Sequence, residues 1–110
     1  MWIFNKDGYF SAVEHRDMPD HVMVRARRRE DIERLAERLG ATVEFTPNAD
    51  YAFRITVPKA GYADYLHAAV MNLDYPNFKS ACARHGARAR AYMDVWTVMH
   101  RFQEDGLERT

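Results

Sequence analysis

Apolar and polar residues alternate along several stretches of the chain, and between those stretches the period changes. Tyr51, Phe53, Ile55 and Val57 alternate with Ala52, Arg54 and Thr56, the period-two pattern of a strand with one buried face. Val43–Thr46 lies just upstream, across the turn residues Pro47, Asn48, Ala49 and Asp50, so the two runs predict a hairpin. Trp2-Ile3-Phe4 and Tyr9–Glu14 flank Asn5-Lys6-Asp7-Gly8, where the Asp-Gly pair is a hairpin signal. Val22, Val24 and Ala26 alternate with Met23, Arg25 and Arg27 and predict a further strand.

Other segments have a helical period. Ile32, Leu35, Ala36 and Leu39 fall at i, i+3, i+4 and i+7, a one-faced stripe. Glu30 and Asp31 stand in its first turn, where the helix dipole favours negative charge, and Gly40 follows as its terminator. Pro58 ends the second strand of the central hairpin and opens a helix at its first position. Tyr62, Tyr65, Leu66, Ala69, Val70 and Leu73 supply the apolar spacing of that helix. Tyr75-Pro76 interrupts the pattern, because a residue before proline avoids the helical region. Phe78–His85 resumes as a short helix, Gly86 breaks or caps it, and Ala87–Gln103 forms the last, with Tyr92, Val95, Trp96, Met99 and Phe102 as its stripe.

The predicted order is β-β-β-α-β-β-α-α-α. It implies an α+β fold, an antiparallel sheet of four to five strands with three to four helices mainly on one face. Strand, helix, hairpin and helix in the middle suggest a ferredoxin-like (split β-α-β) core with an added N-terminal hairpin. Residues 1–103 are expected to form a single domain and residues 104–110 a polar, frayed C-terminal tail.

Composition narrows the function classes. With 110 residues, 47% hydrophobic and 29% charged, the chain is an ordinary globular sequence rather than a disordered one. Sixteen basic and sixteen acidic residues cancel, so whole-chain attraction to nucleic acid or anionic lipid has no basis. The lone Cys82 has no partner for an intramolecular disulfide, and no signal peptide or membrane-length apolar run is present. A reducing cytoplasm is the expected compartment, with no membrane partner.

Met1-Trp2-Ile3-Phe4 with Gly8-Tyr9-Phe10-Ser11, Val24-Arg25-Ala26-Arg27, Thr46-Pro47 with Ala49-Asp50-Tyr51, and Asp74-Tyr75 with Asn77-Phe78-Lys79 together resemble a family of small uncharacterised bacterial proteins. The resemblance spans roughly Met1 to Phe102. It implies a compact single domain and carries no catalytic residue, activity or cofactor.

Candidate chemistry is weaker than the structural signal. If Val22, Val24 and Ala26 face the core, Arg25 and Arg27 face away; Arg54 does so by the same logic, joined by Tyr9 where its strand agrees. Arginines beside an aromatic platform can hold single-stranded nucleic acid through phosphate contacts and stacking. Cross-strand pairing of these arginines with Glu14 and Glu44 is the structural alternative. The loop from His15 through Asp17 and Asp20 to His21 has mixed metal-ligand types at a spacing that matches no established pattern. Cys82 and His85, three apart on a predicted helix, have the makings of a nucleophilic pair. A buried structural cysteine is the simpler reading. Asp64 and His67, with His100 on the last helix, are acid–base candidates only if they converge. Tyr65, Tyr75, Phe78, Tyr92, Trp96 and Phe102 read as core. Trp2, Ile3 and Phe4 form a predicted edge strand suited to a protein interface.

The leading expectation is a small non-enzymatic protein-binding or regulatory module, open to homodimerisation. Nucleic-acid binding through the arginine-bearing sheet face is second. A small enzyme built on a cysteine or on a histidine with a carboxylate is third. No metal or other cofactor is implied.

Overall fold

The computed structural model describes residues 1–82 and 85–109. Nine elements follow one another in the predicted order. They are β1 (Trp2–Asn5), β2 (Gly8–Glu14), β3 (His21–Ala26), α1 (Arg29–Leu39), β4 (Glu44–Phe45), β5 (Phe53–Pro58), α2 (Lys59–Met71), α3 (Phe78–Ala81) and α4 (Gly86–Glu108). The strands form one five-stranded sheet of order β1-β2-β3-β5-β4, and every neighbouring pair is antiparallel. β3 and β4 therefore run the same way with β5 inserted between them, a split β-α-β unit. The ferredoxin-like comparison stops at this unit. β2, which precedes β3 in the chain, flanks its other side, and no strand follows α2 among the described residues.

The chain divides into two compact units, Met1–Asp74 and the residues from Tyr75 onward. In the first, alternate residues of three strands make one apolar face: Phe10 and Ala12, Val22, Val24 and Ala26, and Phe53, Ile55 and Val57. Ile32, Leu35 and Ala36 of α1 and Tyr62 and Tyr65 of α2 complete the same core, so the predicted stripe of α1 is the buried one. Gly40 ends α1 in the left-handed region at φ 66°, where its N–H reaches the carbonyls of Ala36 and Glu37. Pro58 is the cap of α2 and the last residue of β5, one position earlier than predicted.

The β1–β2 turn is tied to both helices. Asn5 Oδ1 accepts hydrogen bonds from the N–H groups of Asp7 and Gly8. Tyr65 donates its phenol proton to Asp7 at 2.6 Å and accepts from Asn5 Nδ2 at 3.0 Å. Asp31, in the first turn of α1, is 2% exposed. Its carboxylate accepts from the Tyr9 N–H and lies 3.6 Å from the Arg34 guanidinium. Gly8 makes this possible. It takes φ 146°, and a Cβ at this position would fall inside the Asp31 carboxyl group.

The second unit departs further from expectation. α3 stops at Ala81 rather than His85, with Asn77 Oδ1 accepting from the Ser80 N–H at its start. Gly86 opens α4 at φ 90°, and α4 runs to Glu108, through most of the tail expected to fray. Neither helix contains a buried residue. Phe78 does stack on Tyr92 and meets Tyr75 at a tilt, but Trp96 and Phe102, read as core, are exposed.

Candidate functional site on the open face of the sheet

The face turned away from α1 and α2 carries the complementary set of strand residues. The register aligns Trp2, Ser11, Arg25, Arg54 and Glu44 in one row across all five strands. Val13, Met23 and Thr56 form the next row, and Phe4 stands opposite Tyr9. Two sets of residues singled out separately, Tyr9 with Arg25 and Arg54, and Trp2 with Phe4, thus share one surface. Arg27, one residue beyond β3, joins them through Tyr51. Ile3 does not, because it pairs with Phe10 and takes that residue's face.

Tyr51 is the residue that period-two reading places wrongly. Extrapolating the β5 alternation puts it beside Phe53 and Ile55. The strand begins only at Phe53, and the bend at residues 51–52 carries the ring to the other face. There it is 3% exposed. The Arg25 and Arg27 guanidiniums lie 4.5 and 4.1 Å from its ring centroid, within the range of cation–π attraction. Its hydroxyl is 2.9 Å from that of Tyr9, whose ring stacks on Phe4 at 4.4 Å and meets Trp2 edge-on.

Burial alone would push the Tyr51 phenol up. Hydrogen bonds with Tyr9 and Ser11 and the charges of Arg27 and Arg25 outweigh it, and the phenol titrates below its ordinary value of 10. Tyr9 moves the other way, held up by burial and by its bond with Tyr51. In this pair Tyr9 is the better proton holder and Tyr51 the better acceptor.

The expected pairing of the arginines with Glu14 and Glu44 does not occur among the described residues. Arg25 donates to Ser11 Oγ at 2.8 Å, and its buried Nε has no hydrogen-bond partner. Arg27 reaches the Asp50 carbonyl and carboxylate. Arg54 donates to Thr46 Oγ1 and to the Met23 sulfur. Arg25 and Arg54 are directly opposed across β3 and β5. Like charges in that position are unfavourable, and neither guanidinium has a carboxylate on it. Carboxylate or phosphate oxygens are what such a pair can accept, with Trp2 at 69% exposure and Val13 offering apolar surface alongside. Tyr51, Ser11, Thr46 and Asp50 were not foreseen here, since alternation carries no signal for a loop that crosses to the other face.

The remaining candidates do not assemble into sites. His15 Nδ1 accepts from the N–H groups of Asp17 and Met18, and His21 Nδ1 donates to the Pro19 carbonyl. Both rings thus brace their own loop, in which Asp20 adopts φ 60°. Among the described residues no three His, Cys, Asp or Glu side chains converge for a metal. Cys82 and His85 share no helical face: the first is the extended cap ending α3, the second the extended cap opening α4. Asp64 and His67 are exposed on α2, while His100 stacks on Trp96 and bonds Glu104 at 2.9 Å. No described helix is long and apolar enough to cross a membrane. Comparison with protein-family models, curated proteins and solved structures gives no match.

Proposed function

We propose that this chain is a protein-binding module whose open sheet face receives an acidic segment of its partner. The observation that carries the reading is the opposed Arg25–Arg54 pair, which lacks a carboxylate and stands in the same row as the exposed Trp2. A local violation of cross-strand charge rules is what a site kept for binding looks like. A short acidic peptide suits it better than a nucleic acid does. The unit Met1–Asp74 holds ten basic against twelve acidic side chains, so a long polyanion meets repulsion beyond the arginines. The Tyr9–Tyr51 pair does not itself favour an enzyme, because Tyr51 is buried under two guanidiniums.

The test is fluorescence anisotropy of the whole protein with a labelled Glu/Asp-rich peptide carrying one aromatic residue, and with labelled oligouridylate. Saturable peptide binding that falls at least ~10-fold in Arg54→Glu, a loss typical of a reversed interfacial charge, is the expected result. Tighter binding to oligouridylate, with a steep salt dependence, would replace the peptide by nucleic acid. Peptide binding indifferent to Arg54→Glu would remove the site.

A further inference from the structure

The turns that follow β1 and β2 are each closed by one side-chain acceptor, and the two acceptors differ in kind. After β1, Asn5 Oδ1 takes the N–H groups of Asp7 and Gly8 at 2.9 and 3.2 Å. After β2, His15 Nδ1 takes the N–H groups of Asp17 and Met18, the same two positions along, at 3.1 Å each. An amide oxygen accepts at any pH, whereas an imidazole nitrogen accepts only while it carries no proton. His21 differs again. It stands opposite His15 as the next pair of the β2–β3 ladder, joined through the His15 N–H and the His21 carbonyl at 2.9 Å. Its Nδ1 donates to the Pro19 carbonyl, a bond that a protonated ring keeps. The loop between the two histidines also holds another element. The Asp20 carbonyl accepts the N–H of Lys59, the first residue of α2, at 2.8 Å.

We propose that the loop from His15 to Asp20 is a pH-sensitive latch, closed by the neutral His15 ring and released when its Nδ1 takes a proton. The latch is independent of the function proposed above. Protonation turns the acceptor into a donor aimed at two other donors, so the Asp17 and Met18 N–H groups must turn to water and the loop opens. Imidazole is the side chain whose ordinary titration falls between about pH 5 and 8. The charged and titratable groups around His15 are Glu14 at the end of β2, Arg16, Asp17 and Asp20 in the loop, His21 at the start of β3 and Lys59 at the start of α2. Among the described residues none of them forms an ion pair with His15. In the closed loop a charged ring is therefore met by no carboxylate, and a protonated His21 is a like charge directly across the ladder. Release also takes the Asp20 carbonyl from the first residue of α2, the helix that brings Tyr62 and Tyr65 to the core.

Solution NMR of the full chain from about pH 8 to 3.5, a range that spans imidazole and carboxylate titration, tests the latch. The His15 ring is followed together with the Asp17, Met18 and Lys59 amides. Exchange protection of Asp17 and Met18, corrected for the intrinsic pH dependence of exchange, should fall about 5–10-fold as the ring titrates, the size set by a lost hydrogen bond. Lys59 should follow with a smaller fall. His15→Asn puts an amide oxygen where Nδ1 stood, as Asn5 does in the first turn, and should keep the protection constant through the imidazole range. His15→Ala should leave both amides unprotected at every pH, with the circular dichroism of the sheet unchanged. Protection that does not change while the His15 ring titrates overturns the inference. A fall that survives in His15→Asn overturns it equally, as does one centred near pH 4, which would assign the event to Asp17 or Asp20. A loop that opens while Lys59 stays protected overturns the link to α2.

Discussion

The two compact units use similar residues to opposite ends. Up to Asp74 the chain places Phe10, Phe53, Tyr62 and Tyr65 in a closed core between one sheet face and two helices. From Tyr75 onward the aromatic density is comparable, yet α3 and α4 bury nothing, and Trp96, Met99 and Phe102 stay in solvent. Hydrophobic periodicity shows which face of an element requires cover. It does not show whether the cover comes from the same chain. In the first unit the strand and helix periods agree with one another and meet across one layer. In the second there is a single long amphipathic helix with no sheet of its own to meet.

The sharpest way to break this contrast is to truncate the same residue type in both units. Phe10 is fully buried, and Phe10→Ala should cost ~3–5 kcal/mol. Phe102→Ala should fall within about 0.5 kcal/mol, as exposed substitutions do. Urea denaturation of dilute protein measures both, and comparable losses would show that α4 is part of the core. Next in size is Gly8→Ala. The added Cβ meets the Asp31 carboxyl group and must also adopt φ 146°, so a loss of about 1–3 kcal/mol is expected, with α1 loosened in hydrogen exchange.

The smallest effect concerns Tyr62, whose buried hydroxyl has no partner. Tyr62→Phe should be neutral or stabilising by up to ~1 kcal/mol, since an orphaned polar group is removed. Burial pushes the Tyr62 phenol up to about 12. Its contribution to stability is therefore whole below pH 10, the unfolded value, and is lost as pH rises towards 12. Tyr51, shifted downward, acts with the opposite sign: it adds stability as pH rises from its lowered folded value towards 10, and that gain is kept above 10. Alkaline unfolding followed by circular dichroism should thus move to higher pH in Tyr62→Phe and to lower pH in Tyr51→Phe.

Much of the first unit was legible because its signals are local and redundant. The Asp7-Gly8 turn, the alternation through Val22–Ala26 and the Ile32–Leu39 stripe each name an element and its buried face. What escaped depends on contacts distant in sequence. Asp31 resembles any first-turn acid until the hairpin turn arrives to cover it. Tyr51 continues an alternating run until a bend reverses it. The break after Ala81 lies between two segments that are both acceptable helix formers, and periodicity alone joins them. Of the candidate site, the arginines and Tyr9 could be assigned to a face from strand parity. The loop that supplies Tyr51, Thr46 and Asp50 could not.

The fit of Asp31 against Gly8 also bears on how the chain reaches its fold. A carboxylate moved into an apolar layer is costly unless its acceptors are met at once, and here the Tyr9 N–H of the β1–β2 hairpin is one of the groups that meet it. With the hairpin unzipped, a docked α1 would keep the Arg34 contact of its own helix but lose the Tyr9 N–H from that carboxylate. With α1 absent, Gly8 would line an empty notch. Hairpin closure and helix docking are therefore one cooperative event, and partly assembled forms holding only one of the two should be too sparsely populated to accumulate.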